Sequence, residues 1–420
     1  MTPDYDPCLL EWRGDPYPHY RELRDHAPVY FAPATRVWCV SRYDDVMFVL
    51  RSPELFSSRA MFTFLMNQGR EGPPPLTWRA LRFLVRFVWK THFNPFEFTT
   101  ARNLIAEDGE RHTAMRNIVN RGFTPRRIAA WEGRAREIVA ESMARLRAGG
   151  PFDLVEDLAI PLPVGIIAEM LGVEPTRLPD FKRWSDAMID QATGAGRADP
   201  FTPRIMDAAV ELLSYLRKIA EARRRHPADD LVSAIVAEQD GATALSIREV
   251  VQFAMLLLVA GNETTTNLIG NAVTALLDHP GELERVARDP SLVPGALEET
   301  LRYDPPVQIL FRTATQDVEL AGTRIPKGAY VAPLIGSANR DERRFPDPDR
   351  FDVTRDPQGH VAFGFGKHFC LGASLARLEA RVALEALAPE LPRLVREQPR
   401  ELIDSFLVRG PRRLELRRAA

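Results

Sequence analysis

The stretch Phe363-Gly-Phe-Gly-Lys-His-Phe-Cys370-Leu-Gly372 constrains this chain more than any other. It is a glycine-broken loop that runs into Ala373-Ser-Leu-Ala-Arg-Leu-Glu-Ala, a helix-forming sequence. Such a loop delivers one cysteine to a helix N-terminus, where unpaired N–H groups and the positive end of the dipole favour a thiolate. Gly366 and Gly372 suit a backbone that turns sharply and approaches a flat ligand closely. Phe363 and Phe369 would shield the sulfur from water. A lone cysteine is more often a small core hydrophobe. A buried, hydrogen-bonded thiolate, by contrast, can ligate a haem iron.

Composition narrows the alternatives. The chain has 420 residues, 45% hydrophobic and 27% charged, enough to bury a large core. A net charge of −2 gives no basic field, so nucleic acid is not expected as a partner. The three cysteines, Cys8, Cys39 and Cys370, are too few for a disulfide framework and too scattered for a zinc or iron–sulfur signature. A reducing, cytoplasmic setting follows. Met1-Thr-Pro-Asp-Tyr-Asp-Pro has no signal-peptide character, and the apolar run Phe253–Gly261 is too short for a transmembrane segment. No dinucleotide fingerprint or phosphate loop occurs: Gly364-Phe-Gly366 lacks the third glycine. Electrons for a redox reaction would have to arrive from another protein.

Along the chain, residues 16–26 read as a helix, followed by strands at 29–31 and 37–40 and a helix at 43–51. Residues 59–106 form an aromatic-rich segment. Within it Arg79, Arg82, Arg86 and Lys90 recur at helical spacing, a solvated stripe on a lid helix or a contact with anionic lipid. His112 and Arg116 share a helix face and could both reach one carboxylate. Helices dominate from Arg126 to Glu238, with a break near 192–203. Val251–Thr266 reads as a long buried helix carrying Gly261 and the polar group Glu263-Thr264-Thr-Thr; a carboxylate there is costly unless paired or wetted. Gly261 would let a ligand approach, and the threonines could bond back to helix carbonyls and widen it locally. Glu299 and Arg302, three apart, form an ion pair that would contribute little if exposed. Strands are expected at 307–314, 317–320 and 325–334, the last opening on a hairpin turn at Pro326-Lys-Gly328, with a final hairpin near 404–410.

The spacing Phe-x-x-Gly-x-His-x-Cys-x-Gly at 363–372 resembles the haem-binding loop of the cytochrome P-450 superfamily. His112-x-x-x-Arg116, Ala260-Gly-x-Glu263-Thr264 and Glu299-x-x-Arg302 resemble further elements of that family in the same order. The resemblance implies a mainly α fold with small β-sheets (α+β), residues 1–420 forming one domain, with haem between the long central helix and the Cys-loop helix. It implies haem b with Cys370 as the metal ligand, and His112, Arg116, Arg312 and His368 on its propionates. Ala260, Phe363, Gly364 and Gly372 would lie against the cofactor. Thr264 would hydrogen-bond dioxygen and Glu263 would relay protons, while Glu299 and Arg302 hold the core together. The implied reaction inserts one oxygen atom from O2 into a lipophilic small molecule: a terpenoid, steroid, fatty acid or polyketide. A ferredoxin or flavodoxin-type donor and its reductase would supply electrons, with NAD(P)H acting only indirectly, and the protein would be a monomer. Phe83, Phe87, Leu256, Val259, Ala260, Val307, Gln308, Ile309, Phe406 and Leu407 would line the substrate pocket, with Gln308 its polar handle. A peroxide-driven haem-thiolate peroxygenase and a non-catalytic haem sensor are the rival readings. The Glu263/Thr264 pair argues against the first, and the pair together with the lid against the second.

Overall fold

A computed structural model describes residues 5–8, 12, 14–59, 78–94, 103–193, 202–236, 245–356 and 358–419. Its organising element is the 32-residue helix Ile247–Asp278. This central helix begins four residues before the apolar run suggested, because Ser246 and Glu249 form a capping box, the Ser246 hydroxyl accepting from the Glu249 N–H at 3.3 Å while the Glu249 carboxylate accepts the Ser246 N–H at 2.9 Å. Pro280 follows its end. Val251, Phe253, Ala254, Leu258, Leu268, Ile269, Ala272, Val273 and Leu276 are buried around its circumference, as a helix packed on every side requires.

Helices surround it: Pro161–Met170, Leu178–Thr193 and Pro203–Arg225 on one side, Val293–Tyr303 and Ala373–Leu387 on the other. The packing is close enough to demand glycine. A Cβ on Gly261 would meet Ile167 Cδ1 at 2.8 Å, and one on Gly270 would meet Pro411 at 2.5 Å. At Gly261 the close neighbour is the flexible tip of Ile167, whereas at Gly270 it is the stiff ring of Pro411. The helix also runs unbroken through Thr264, without the widening the threonines suggested.

Strands Val29–Ala32 and Val37–Val40 form where their β-branched and aromatic residues placed them, flanked by helices Tyr17–His26 and Tyr43–Arg51. They belong to one five-stranded sheet with strands from 300 residues away, in the order 29–32, 37–40, 330–333, 312–314, 56–57. Val37 pairs with Tyr330 in parallel and Arg312 with Val331 antiparallel, which seats Arg312 inside the sheet. The expected strand at 307–314 pairs as a strand only over Arg312–Ala314; Val307 and Ile309 make single bridges, to Val408 and Leu334. Pro326–Gly328 does turn, with Gly328 at φ 81°. It is not a hairpin: strand Thr323–Ile325 pairs with Val318–Leu320, and Tyr330–Pro333 joins the large sheet. Glu401–Leu402 and Pro411–Arg413 form the C-terminal hairpin. The segments 60–77, 95–102 and 194–201 lie outside the described residues, and with them much of the aromatic stretch and the break between the Leu178–Thr193 and Pro203–Arg225 helices.

Candidate functional site

The Cys370 loop is shaped by two glycines, Gly364 at φ 68° and Gly366 at φ 70°, in the left-handed region that disfavours a side chain. Gly372 is not in that region; instead, a Cβ built on it meets nothing within 4 Å. The Cys370 N–H donates to the Phe363 carbonyl at 2.9 Å, closing the loop. Phe363 is half-buried beneath the Arg377 guanidinium, 4.5 Å from its ring centroid, whereas Phe369 is 41% exposed. Burial pushes the Cys370 thiol up, against the pull of the Gly372 and Ala373 N–H groups and of Arg116 and Arg377. The helix N-terminus favours the thiolate, but desolvation outweighs it in the chain alone.

A second group gathers around this loop. The His112 and His368 rings lie 4.3 Å apart, and His368 Nε2 is 3.2 Å from Asp108 Oδ1. Burial, His368 and Arg116 lower the His112 pKa to about 4, so the ring is neutral, and its buried Nε2 has no hydrogen-bond partner. Arg116, half-buried, donates to Asn120 Oδ1 at 3.2 Å and feels the Cys370 sulfur. Arg312 is buried in the sheet, its guanidinium donating to the Phe311 carbonyl at 2.8 Å. Burial pulls its pKa down to about 10, with Asp108 working the other way. Among the described residues neither arginine has a carboxylate at ion-pair distance. Asp108, raised by burial but more strongly lowered by His368, Ser57 and the Ser58 N–H, stays an anion.

On the central helix, burial gives way midway. Val259, Gly261, Glu263 and Thr264 are half-buried and Ala260 is exposed, between fully buried runs on either side. Thr264 Oγ1 donates to the Ala260 carbonyl at 2.7 Å. The neighbouring polar residues face elsewhere: Asn262 donates to Ser185 Oγ at 3.0 Å and Thr266 to the Ala159 carbonyl at 2.9 Å. Thr265 meets Glu379 of the Ala373–Leu387 helix, a fully buried carboxyl that burial raises to about pKa 8. Glu379 escaped the sequence reading, since an acid in a helical run looks like an exposed one.

Glu299 and Arg302, by contrast, are wholly buried. Two bonds of 2.8 Å join them. Arg302 also donates to the carbonyls of Asn339, Pro348 and Arg350, and Glu299 accepts from the Asp352 N–H and Arg355. The pair is the centre of a buried network clamping residues 339–355, in keeping with the structural role the resemblance implied. Its neighbour Glu298, raised by burial but lowered more by Arg377 and His360 to a pKa of about 2, ties the same helix to the Cys-loop helix.

The Cytochrome P450 family model matches residues 202–412. The cytochrome P450 monooxygenase PikC of Streptomyces venezuelae is 38% identical over 419 residues, 97% of this chain and 92% of that one. The chain belongs to the cytochrome P450 family. Among solved structures, cytochrome P450 CYP109Q5 from Chondromyces apiculatus superposes with a TM-score of 0.85 at 39% identity, covering 100% of this chain and 99% of that one. CYP109E1 from Bacillus megaterium in complex with corticosterone does so at 0.82 and 36%, covering 98% and 100%. This P450 is therefore a monooxygenase of a haem-thiolate family, mainly helical with small sheets. Among its described residues no helix is long and apolar enough to cross a membrane.

The residues present fit the family's haem. An iron ligand, a glycine with open space where its Cβ would stand, an unpartnered His112 Nε2 and two arginines without carboxylates suit a flat metalloporphyrin with two carboxylates. Three pocket expectations fare differently in this P450. The Gln308 amide donates to the Pro305 carbonyl at 2.8 Å and accepts from the Tyr20 hydroxyl at 3.3 Å, so it is committed to the scaffold. Gln308, Ile309 and Phe406 line a separate small cleft with Tyr5, Trp12, Tyr20 and Arg409, to which neither the central helix nor the Cys370 loop contributes. Ile309 is buried there with Phe311 and Leu334, and Leu407 packs on the same cluster. Phe83 and Phe87 lie 5.7 Å apart against the main core, and Leu256 and Val259 are half-buried on the central helix. Val307 is half-buried beside Val408.

Proposed function

We propose that this P450 binds haem b through the Cys370 thiolate and hydroxylates or epoxidises a neutral, lipophilic small molecule. Its 420 residues would act as one domain, since one sheet joins strands from 29–57 to strands from 312–333. The observation that carries the reading is a set of donors around the loop that presents Cys370: buried His112 Nε2 without a hydrogen-bond partner, and half-buried Arg116 and buried Arg312 without a carboxylate at ion-pair distance. A bound haem-thiolate supplies the chemistry of O–O cleavage.

The chain's own residues do the rest. Arg116, Arg312, His112 and His368 would hold the two propionates by charge-assisted bonds, fixing the ring in its plane. The N–H groups of Gly372 and Ala373 would stabilise the sulfur's negative charge. Thr264, whose hydroxyl already rests on the Ala260 carbonyl, would swing to donate a hydrogen bond into the space above Ala260, and Glu263 would return protons from solvent. Leu256, Val259 and Ala260 would meet the substrate with apolar surface, and no charged side chain among them asks for a charged one. The corticosterone bound by CYP109E1 makes steroids the first class to try. With no dinucleotide fingerprint in the chain, electrons would come from a ferredoxin or flavodoxin-type donor and its reductase.

The test is spectroscopic. The purified ferric protein is titrated with steroids, macrolides, terpenes and fatty acids while the Soret band is followed. A low-to-high-spin shift with one class identifies the substrate family. A carbon monoxide spectrum without thiolate character in the wild type, or with it in Cys370→Ser, would sink the assignment.

A further inference from the structure

The helix Trp78–Thr91 lies on the surface and carries apolar residues on two opposite faces. Its inner face is ordinary: Phe87 is buried, Phe83 packs beside it on the main core, and Arg86 pairs with Asp207 of the Pro203–Arg225 helix. The outer face is not. Trp78 is 79% exposed, Leu81 43%, Val85 64%, Val88 45% and Trp89 73%. Their spacing of three, four, three and one residues places all five on one sector of an α-helix, about 100° wide. Among the described residues five of the ten exposed large hydrophobics stand on this one helix, so the face is a concentrated patch and not scattered surface. Arg82, exposed, flanks that sector beside Trp89, and Lys90, also exposed, lies further round on the same side.

We propose that this outer face docks the enzyme on an anionic lipid bilayer, the helix lying in the plane of the interface. Two observations choose lipid over the alternatives. The apolar sector is a convex ridge with tryptophans near both ends, the residue type that settles at the boundary between hydrocarbon and headgroups. The exposed cation at the ridge's edge, Arg82, would meet anionic headgroups once the ridge is immersed, while Arg86 and Lys90 lie further round, toward Asp207 and Glu211 of the Pro203–Arg225 helix. An acidic carrier protein would use the cations but has no need of five exposed apolar side chains. A second copy of the chain would bring its own Arg82 and Lys90 against the first. The docked helix packs directly on the Pro203–Arg225 helix, which in turn lies on the central helix.

The experiment uses the haem-loaded enzyme and sedimentation with large unilamellar vesicles, of phosphatidylcholine alone or mixed with phosphatidylglycerol. The expected result is partition onto the anionic vesicles, weakened by high salt. Arg82→Glu/Lys90→Glu should lower that partition by about tenfold or more. Trp78→Ser/Trp89→Ser should abolish it. Both double variants should keep the wild-type Soret and carbon monoxide spectra, which separates lost docking from lost fold. Absence of partition onto either vesicle overturns the proposal, as does partition that survives Trp78→Ser/Trp89→Ser. Retention on an immobilised acyl carrier protein without vesicle binding assigns the face to a protein partner instead, and self-association lost in the tryptophan variant assigns it to a second copy; each of these also overturns it.

Discussion

Two groups of buried charge flank the Cys370 loop, and they are built on opposite plans. Around Glu299 and Arg302 every charge is answered within the chain: a bidentate ion pair, three carbonyls on the guanidinium, an N–H and a second arginine on the carboxylate. Around His112, Arg116 and Arg312 the donors find only backbone or amide oxygens, and one finds nothing. Burial of an unanswered cation is costly, and the lowered pKa of Arg312 records that cost. A network complete in itself is scaffold. A group whose arginines meet no carboxylate at ion-pair distance, while its Asp108 is engaged by His368, is left able to receive one.

The largest effect expected from this contrast is at the closed network. Glu299→Gln leaves Arg302 buried without its anion, which should cost about 3–5 kcal/mol. Thermal unfolding of the haem-free protein checks it; a melting temperature equal to wild type would remove the scaffold reading. Arg312→Leu should behave in the reverse sense. The haem-free protein should be as stable as wild type or more so, because an unpaired buried cation is gone. Haem affinity, measured by transfer to apomyoglobin, should fall by about 10–100-fold, the worth of a hydrogen bond to a charged group. Loss of stability without loss of affinity would place Arg312 with the scaffold.

Glu379 sharpens the comparison through pH. Its folded pKa is raised to about 8, so the native state holds a proton that the unfolded chain releases above the ordinary carboxyl range. Stability from this group is full at acid pH and is lost as pH rises toward 8. Glu379→Gln should flatten that decline between pH 5 and 8; an unchanged slope in melting temperature would refute the assignment. His112 works the other way. Its folded pKa is depressed to about 4, so the haem-free protein should lose stability as pH falls from the ordinary histidine value toward 4. The smallest stability effect belongs to Thr264→Ala, which loses only the bond to Ala260, worth about 1 kcal/mol. It should nonetheless lower product formed per reductant consumed, and unchanged coupling would exclude Thr264 from proton delivery.

Much of the helical order was legible because periodicity is local. The Tyr43–Arg51 helix and the strands at 29–32 and 37–40 follow from spacing and β-branched clusters alone. Ser246-Ile-Arg-Glu249 was legible too, as a capping box, although the apolar run drew attention four residues further on. What spacing leaves open has one cause. It cannot say that Glu299–Arg302 is buried, because residues 339–355 fold over the pair from about 40 residues away. Gln308 reads as a polar group in an apolar wall until Tyr20 and Pro305 claim its amide.

By itself the sequence determined which chemistry this chain can carry. The Cys370 loop, the His112–Arg116 face and the Glu263–Thr264 pair are set by residue type and short spacing, and local backbone geometry suffices to present them. Only the tertiary structure decided which of its charges are answered. An ion pair, a buried carboxyl and an arginine that meets no carboxylate look alike along a chain, and differ only in what distant segments bring within about 3 Å of them.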